Sequence, residues 1–132
     1  MLDYKTMMEQ LDDDTELLTE LTELFLGAYP QEIRSLRAAV ERNDSQGVTQ
    51  AAHSLKGMVS NFRADCVAAT ALQLEILGRE AQLADAPKVL HLLVHQMDEM
   101  ARQLREIQAP SSLSAQLVKP YLPVSRAFVG KA

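Results

Sequence analysis

The chain has 132 residues, 47% of them hydrophobic and only 5% aromatic with no Trp, and a formal net charge of −5. That length and apolar content suit one globular domain with a real core and exclude a disordered chain. The acidic balance excludes a nucleic-acid binder, which needs a basic surface, and no apolar run approaches the ~20 residues of a membrane span. Met1-Leu2-Asp3-Tyr4-Lys5 has neither the basic start nor the apolar centre of a signal peptide. With one cysteine, Cys66, an internal disulfide is excluded, and a reducing cytoplasm is the expected compartment. The interior must be built from Leu, Ala, Met and Val, which favours packed helices over sheets.

In chain order the pattern is helical throughout. A short helix is expected over residues 3–10. Asp13, with Glu16 three residues on, has the spacing of a capping box and is expected to open a long amphipathic helix. Its apolar face runs through Leu17, Leu18, Leu21, Phe25, Tyr29, Leu36 and Val40. Pro30 is expected to kink or split it near Leu26. Residues 1–32 carry nine acids against the single Lys5, which reads as a solvated face with charges that suit helix N-termini. Asn43-Asp44-Ser45 is a tight link and the next N-cap.

The following helix runs to about Phe62 and buries Val48, Ala51, Ala52, Leu55, Val59 and Phe62 at helical spacing. His53 falls nearly opposite Leu55, on the side shared by Gln46, Gln50, Lys56, Gly57 and Ser60. Asp65 is expected to cap the next helix, with Val67, Ala71, Leu74 and Leu77 inward. Asp85-Ala86-Pro87 starts the last one, since Pro fits a first turn. Its stripe of Leu90, Leu93, Met97, Met100, Leu104 and Ile107 suits a short coiled-coil seam or, more simply, the inner face of a bundle. The expected fold is therefore all-α: an antiparallel up-and-down four-helix bundle over residues 1–109, with a short extra N-terminal helix. Residues 110–132 change character. Pro110, Pro120 and Pro123 punctuate a tail that also holds Leu113, Leu117, Tyr121 and Phe128. Packing on the bundle, partner binding and disorder all remain open for it.

Most chemistry is absent. The glycines at 27, 47, 57, 78 and 130 are isolated, so no phosphate-binding loop exists. His91 and His95, at i and i+4 with Asp98 and Glu99 beyond, could present metal ligands. No second cluster completes a site, and a solvated polar face is the preferred reading. Cys66 has no partner constellation and reads as a small helix residue.

The run Ala52-His53-Ser54-Leu55-Lys56-Gly57 is different. A neutral imidazole is a competent nucleophile toward an activated phosphoryl group, and a cation one turn away would stabilise the phosphate it receives. Glycine inside a helix costs about 0.5–1 kcal/mol relative to Ala. Gly57 points away from the core stripe, so clearance for an approaching partner explains it better than helix packing, which stays as the competing explanation.

These residues resemble the A-H-x-L-K-G core of the histidine-containing phosphotransfer (HPt) domains of phosphorelays. The likeness extends to Leu24-Phe25-Leu26 with Pro30, to Leu36-Arg37-Ala38-Ala39-Val40 with Asp44, and to Leu74-Glu75 and Leu77-Gly78-Arg79, covering roughly residues 2–108. The resemblance implies that His53 is the phosphoacceptor, that Lys56 steadies the phosphate and that Gly57 keeps the docking face open. Glu75 falls where relatives often carry a polar group near the imidazole, and Arg79 where some carry a second cation. An ordinary i,i+4 surface salt bridge accounts for that pair equally well.

Two positions depart from the family. Arg63 stands where Gly is usual, and either adds positive charge near the site or reshapes the helix link. Met58 stands where Ser or Ala is favoured. The resemblance further implies a cytoplasmic, monomeric phosphocarrier without autokinase activity. It would accept phosphate from one response-regulator receiver domain, such as that of a hybrid sensor kinase, and pass it to another. It would need no cofactor of its own, since Mg²⁺ is expected on the receiver. The alternative is an HPt-like adaptor that binds a receiver without relaying phosphate.

Overall fold

The structure, a computed structural model, describes residues 2–108, and these are helical with no strand among them. The helices are α1 (Tyr4–Gln10), α2 (Thr15–Glu41), α3 (Ser45–Ser60), α4 (Asp65–Arg79) and α5 (Ala86–Gln108), with a 3-10 turn at Leu83–Asp85 before α5. The chain divides into two compact units, Met1–Ala101 and Arg102–Ala132. Of the second, residues 102–108 are described, as the end of α5. The proline-punctuated tail lies outside the described residues. No helix among the described residues is long and apolar enough to cross a membrane.

Carboxylate caps set three of the helix starts. Asp3 accepts from Thr6 N–H, Asp14 from Leu17 N–H and Asp44 from Gly47 N–H, each satisfying an orphan donor of the first turn. Two expected caps are displaced. The cap of α2 is Asp14 rather than Asp13, because Asp12 and Asp13 both take left-handed backbone (φ 55° and 58°) to turn the chain out of α1. The cap of α4 is Ala64, with no side-chain hydrogen bond, and Asp65 is the first helical residue instead.

Pro30 does not split α2, which runs unbroken through it. The carbonyl of Leu26 loses its usual N–H donor, at a cost of about 3 kcal/mol for an interior proline. That cost is offset by the buried face on both sides, Phe25, Tyr29, Ile33 and Leu36, since each such side chain contributes roughly 1.5–3 kcal/mol. Phe25 stacks on Tyr29 with ring centroids 4.9 Å apart and meets Phe62 edge-on at 5.7 Å. The Tyr29 hydroxyl donates to Asp98 on α5.

The interior follows the sequence stripes closely. Val48, Ala51, Ala52, Leu55 and Val59 of α3 are buried, as are Val67, Ala71 and Leu74 of α4 and Leu90, Leu93, Met97, Met100 and Leu104 of α5. Leu17, Leu21, Leu77 and Ile107 are only half-buried, while Thr22, Ile33 and Ala39 join the buried face of α2. The consequence for function lies in α3. Turning that helix to hide His53 would expose Leu55 and Val59, so the stripe holds the imidazole outward.

Candidate functional site

α3 and α4 pack closely because Gly78 lets them. A Cβ at Gly78 would stand 2.6 Å from Thr49 Oγ1, 2.8 Å from Thr49 N and 2.9 Å from Ser45 O. Two of those three atoms are backbone and cannot move aside cheaply. The two helices run in opposite directions, so one turn earlier on α4 comes beside one turn later on α3. Glu75 is thereby brought to His53 and Lys56.

Glu75 is the centre of the site. Its side chain is only 6% exposed, and three partners stand against its two oxygens. Oε1 lies 2.9 Å from Lys56 Nζ, an ion pair that is off the direction of a well-aligned hydrogen bond. Oε2 lies 3.2 Å from His53 Nδ1 and 2.7 Å from an Arg79 guanidinium nitrogen. One carboxylate thus meets two permanent cations and an imidazole. The Lys56 ammonium, followed by the hydrogen bond from His53, holds the Glu75 carboxyl below its ordinary value against the opposing effect of burial. Ionised Glu75 can only accept, so its contact with His53 requires the ring proton on Nδ1. The lone pair is then on Nε2. With the His53 side chain 67% exposed, that nitrogen is offered to water as a nucleophile.

Lys56 is half-buried beside the ring. Gly57 is exposed, and an added Cβ there would meet nothing within 4 Å. No neighbour within the chain needs the missing side chain at 57, so helix packing does not account for this glycine. Packing is the task of Gly78. Between α2 and the end of α3, a small apolar hollow of about 250 Å³ is lined by Leu21, Leu24, Phe25, Ala28, Met58, Asn61 and Phe62, with Leu24 69% exposed.

Sequence reasoning left Glu75–Arg79 open between a site element and a surface i,i+4 pair. The pair exists, but Glu75 is buried rather than at the surface. The available signal was its place next to Leu74 on the inward stripe of α4, where a lone charge needs a partner. Arg63 is not part of the cluster. It pairs with Asp65 at 3.6 Å and takes left-handed backbone, φ 54°. That conformation gives a physical reason for glycine at this turn, and it makes Arg63 a link-shaping residue. His91 and His95 are exposed and Asp98 is engaged by Tyr29. Among the described residues no group of three or more His, Cys, Asp or Glu comes together to hold a metal ion. Cys66 is exposed.

The Hpt domain family matches residues 20–107, which is well over half of the chain. The fold is similar to the crystal structure of histidine-containing phosphotransfer protein B from Pseudomonas aeruginosa PAO1. The TM-score is 0.75 at 24% identity, over 83% of this chain and 96% of that one. None of the curated proteins matches the sequence. The chain belongs to the Hpt domain family, whose members are phosphocarriers that act as intermediates in phosphorelays.

Proposed function

We propose that His53 is the phosphoacceptor and that the chain carries a phosphoryl group from the aspartyl phosphate of one receiver domain to an aspartate of a second. The observation that carries this reading is an outward imidazole whose Nδ1 rests on the buried carboxylate of Glu75. The Nε2 lone pair forms the N–P bond while the aspartyl O–P bond breaks, its electrons returning to the receiver's carboxylate. The ring becomes cationic as it gives up the lone pair, and Glu75 offsets that charge where it develops. Lys56, one turn from the ring, is in reach to follow the incoming phosphate. The onward step is the reverse, with the imidazole as leaving group.

Positioning and charge stabilisation are the main requirements of phosphoryl transfer. A rigid antiparallel bundle of long helices would supply them. The bare Gly57 and the hollow around Leu24 and Met58 suit an approaching protein surface. On this reading the receiver brings the Mg²⁺, the chain needs no cofactor or kinase activity of its own, and it works as a cytoplasmic monomer. A hybrid sensor kinase's receiver is one donor of the right chemistry.

The experiment is incubation with candidate phosphorylated receivers, tracking acid-labile label on this chain and on a second receiver. His53→Gln should keep the fold, since the exposed ring opens no cavity when lost, and should take no label. A His53→Gln chain that still accepts label would overturn the assignment. Receiver binding without any transfer to wild type would make the chain an adaptor.

A further inference from the structure

Arg79 and His53 reach for the same oxygen. Glu75 Oε2 lies 2.7 Å from the Arg79 guanidinium and 3.2 Å from His53 Nδ1, while Lys56 takes Oε1. A carboxylate beside an imidazole does two things at once. It fixes the ring's orientation and tautomer, and it favours the imidazolium. A phosphoacceptor benefits from the first and is disabled by the second, because imidazolium carries a proton on Nε2 and has no lone pair to give. Lys56 alone leaves the cluster with no net charge when the ring is neutral. Arg79 adds a second cation to the same carboxylate, on the oxygen that faces the ring, so less of that oxygen's charge is left to favour a proton on the imidazole.

We infer that Arg79 is a positioning residue that acts through Glu75: it draws off part of the carboxylate's charge, so that Glu75 orients His53 without holding it as imidazolium. This deepens the phosphoacceptor reading and rests on it. The surroundings leave Arg79 as the charge free to do this. From α3 only Lys56 adds a charge at the cluster, and from α4 only Glu75 and Arg79. On the other flank of α3, the groove shared with α2 holds Glu32, Arg34, Arg42 and Asp44. Arg42 and Asp44 pair with each other and Arg34 bonds Gln31. None of the four has a hydrogen bond or ion pair to the imidazole. The Arg79 side chain is 57% exposed, so its replacement disturbs no core.

The test uses the whole chain with phosphoramidate as phosphodonor, following phosphohistidine by ³¹P NMR and the protonation of the His53 ring by ¹H–¹⁵N NMR across pH. In Arg79→Ala the acid limb of phosphorylation and the ring titration should both move to higher pH, by roughly half a unit for a partly exposed charge. Phosphorylation on that limb should drop about threefold, and Arg79→Lys should restore most of it. In a Glu75→Gln background the same Arg79→Ala change should have no further effect, because its route is gone. Superimposable ring titrations of wild type and Arg79→Ala would overturn the inference, as would an undiminished Arg79 effect without Glu75. Absence of phosphohistidine in every variant, with the ring titration still shifted, would overturn the phosphoacceptor reading and leave the charge coupling standing.

Discussion

Two interior glycines, one on each helix of the site, should respond to substitution in opposite directions. Gly57→Gln places a side chain where the structure has open space. Gln is the better helix former by about 0.5 kcal/mol, so the chain should melt about 2 °C higher. The same side chain stands one turn from His53, where a receiver must approach, and transfer should fall by tenfold or more. Gly78→Ala is the mirror case. Its Cβ would lie 2.6–2.9 Å from Thr49 and Ser45, mostly against backbone, and overpacking of this kind typically costs about 1–3 kcal/mol. Because Gly78 sets the spacing that brings Glu75 to His53, transfer should drop there as well, but together with stability. Circular-dichroism melts and a receiver transfer assay on the two variants separate the explanations. A Gly57→Gln protein that melts several degrees lower, or one that transfers at the wild-type rate, would refute the clearance argument.

Lys56→Ala should slow transfer about tenfold, the order expected for losing one charge-assisted contact. It should also lower stability by about 1 kcal/mol at pH 7, because it strips a cation from a buried carboxylate. The Glu75 carboxyl is held below its ordinary value of 4.5, so its stabilising pairs are intact above that pH and are lost as pH falls through the lower folded value. The wild-type advantage over Lys56→Ala should therefore shrink in urea melts near pH 3, and an advantage independent of pH would count against the ion pair. Thr22 is fully buried and its hydroxyl has no hydrogen-bond partner. Thr22→Val should stabilise the chain by about 1 kcal/mol, and a lower melting temperature would show that the hydroxyl is satisfied. Arg63→Gly should gain about 1 kcal/mol by relieving left-handed backbone, less a few tenths for the exposed contact with Asp65. A loss of stability would show that Arg63 is not strained.

The rotation of α3 was legible because helical periodicity is read from one helix at a time. Val48, Ala51, Ala52, Leu55 and Val59 define a face, and the exposure of His53 and Gly57 follows from it without knowledge of any neighbour. The cap at Asp44 is local in the same sense, since its partner is three residues away. The cap of α2 is ambiguous by one residue in sequence because Asp12-Asp13-Asp14 offers three candidates, whereas α4 starts at Asp65 with no side-chain cap. Only the chain's exit from α1 decides which of them is left-handed. At Pro30 the local penalty and the apolar stripe on both sides of it are both visible in sequence, but how fully that stripe is buried, which decides that α2 continues, depends on the neighbouring helices.

The site's electrostatics belong to a different class. Glu75 is a carboxylate four residues before an arginine, and within α4 that is indistinguishable from a surface pair. Its character changes only when α3 arrives at the distance that Gly78 permits. Lys56 then covers one oxygen, and His53 and Arg79 divide the other. The motif around His53 marks the proposed nucleophile, yet the carboxylate that meets its ring and the arginine that shares that carboxylate's oxygen stand 22 and 26 residues away on α4. A sequence that kept Ala52-His53-Ser54-Leu55-Lys56-Gly57 and replaced Gly78 with a larger residue would keep the motif and lose the geometry. The close α3–α4 contact at Gly78 is therefore as much a requirement of the proposed chemistry as the imidazole itself.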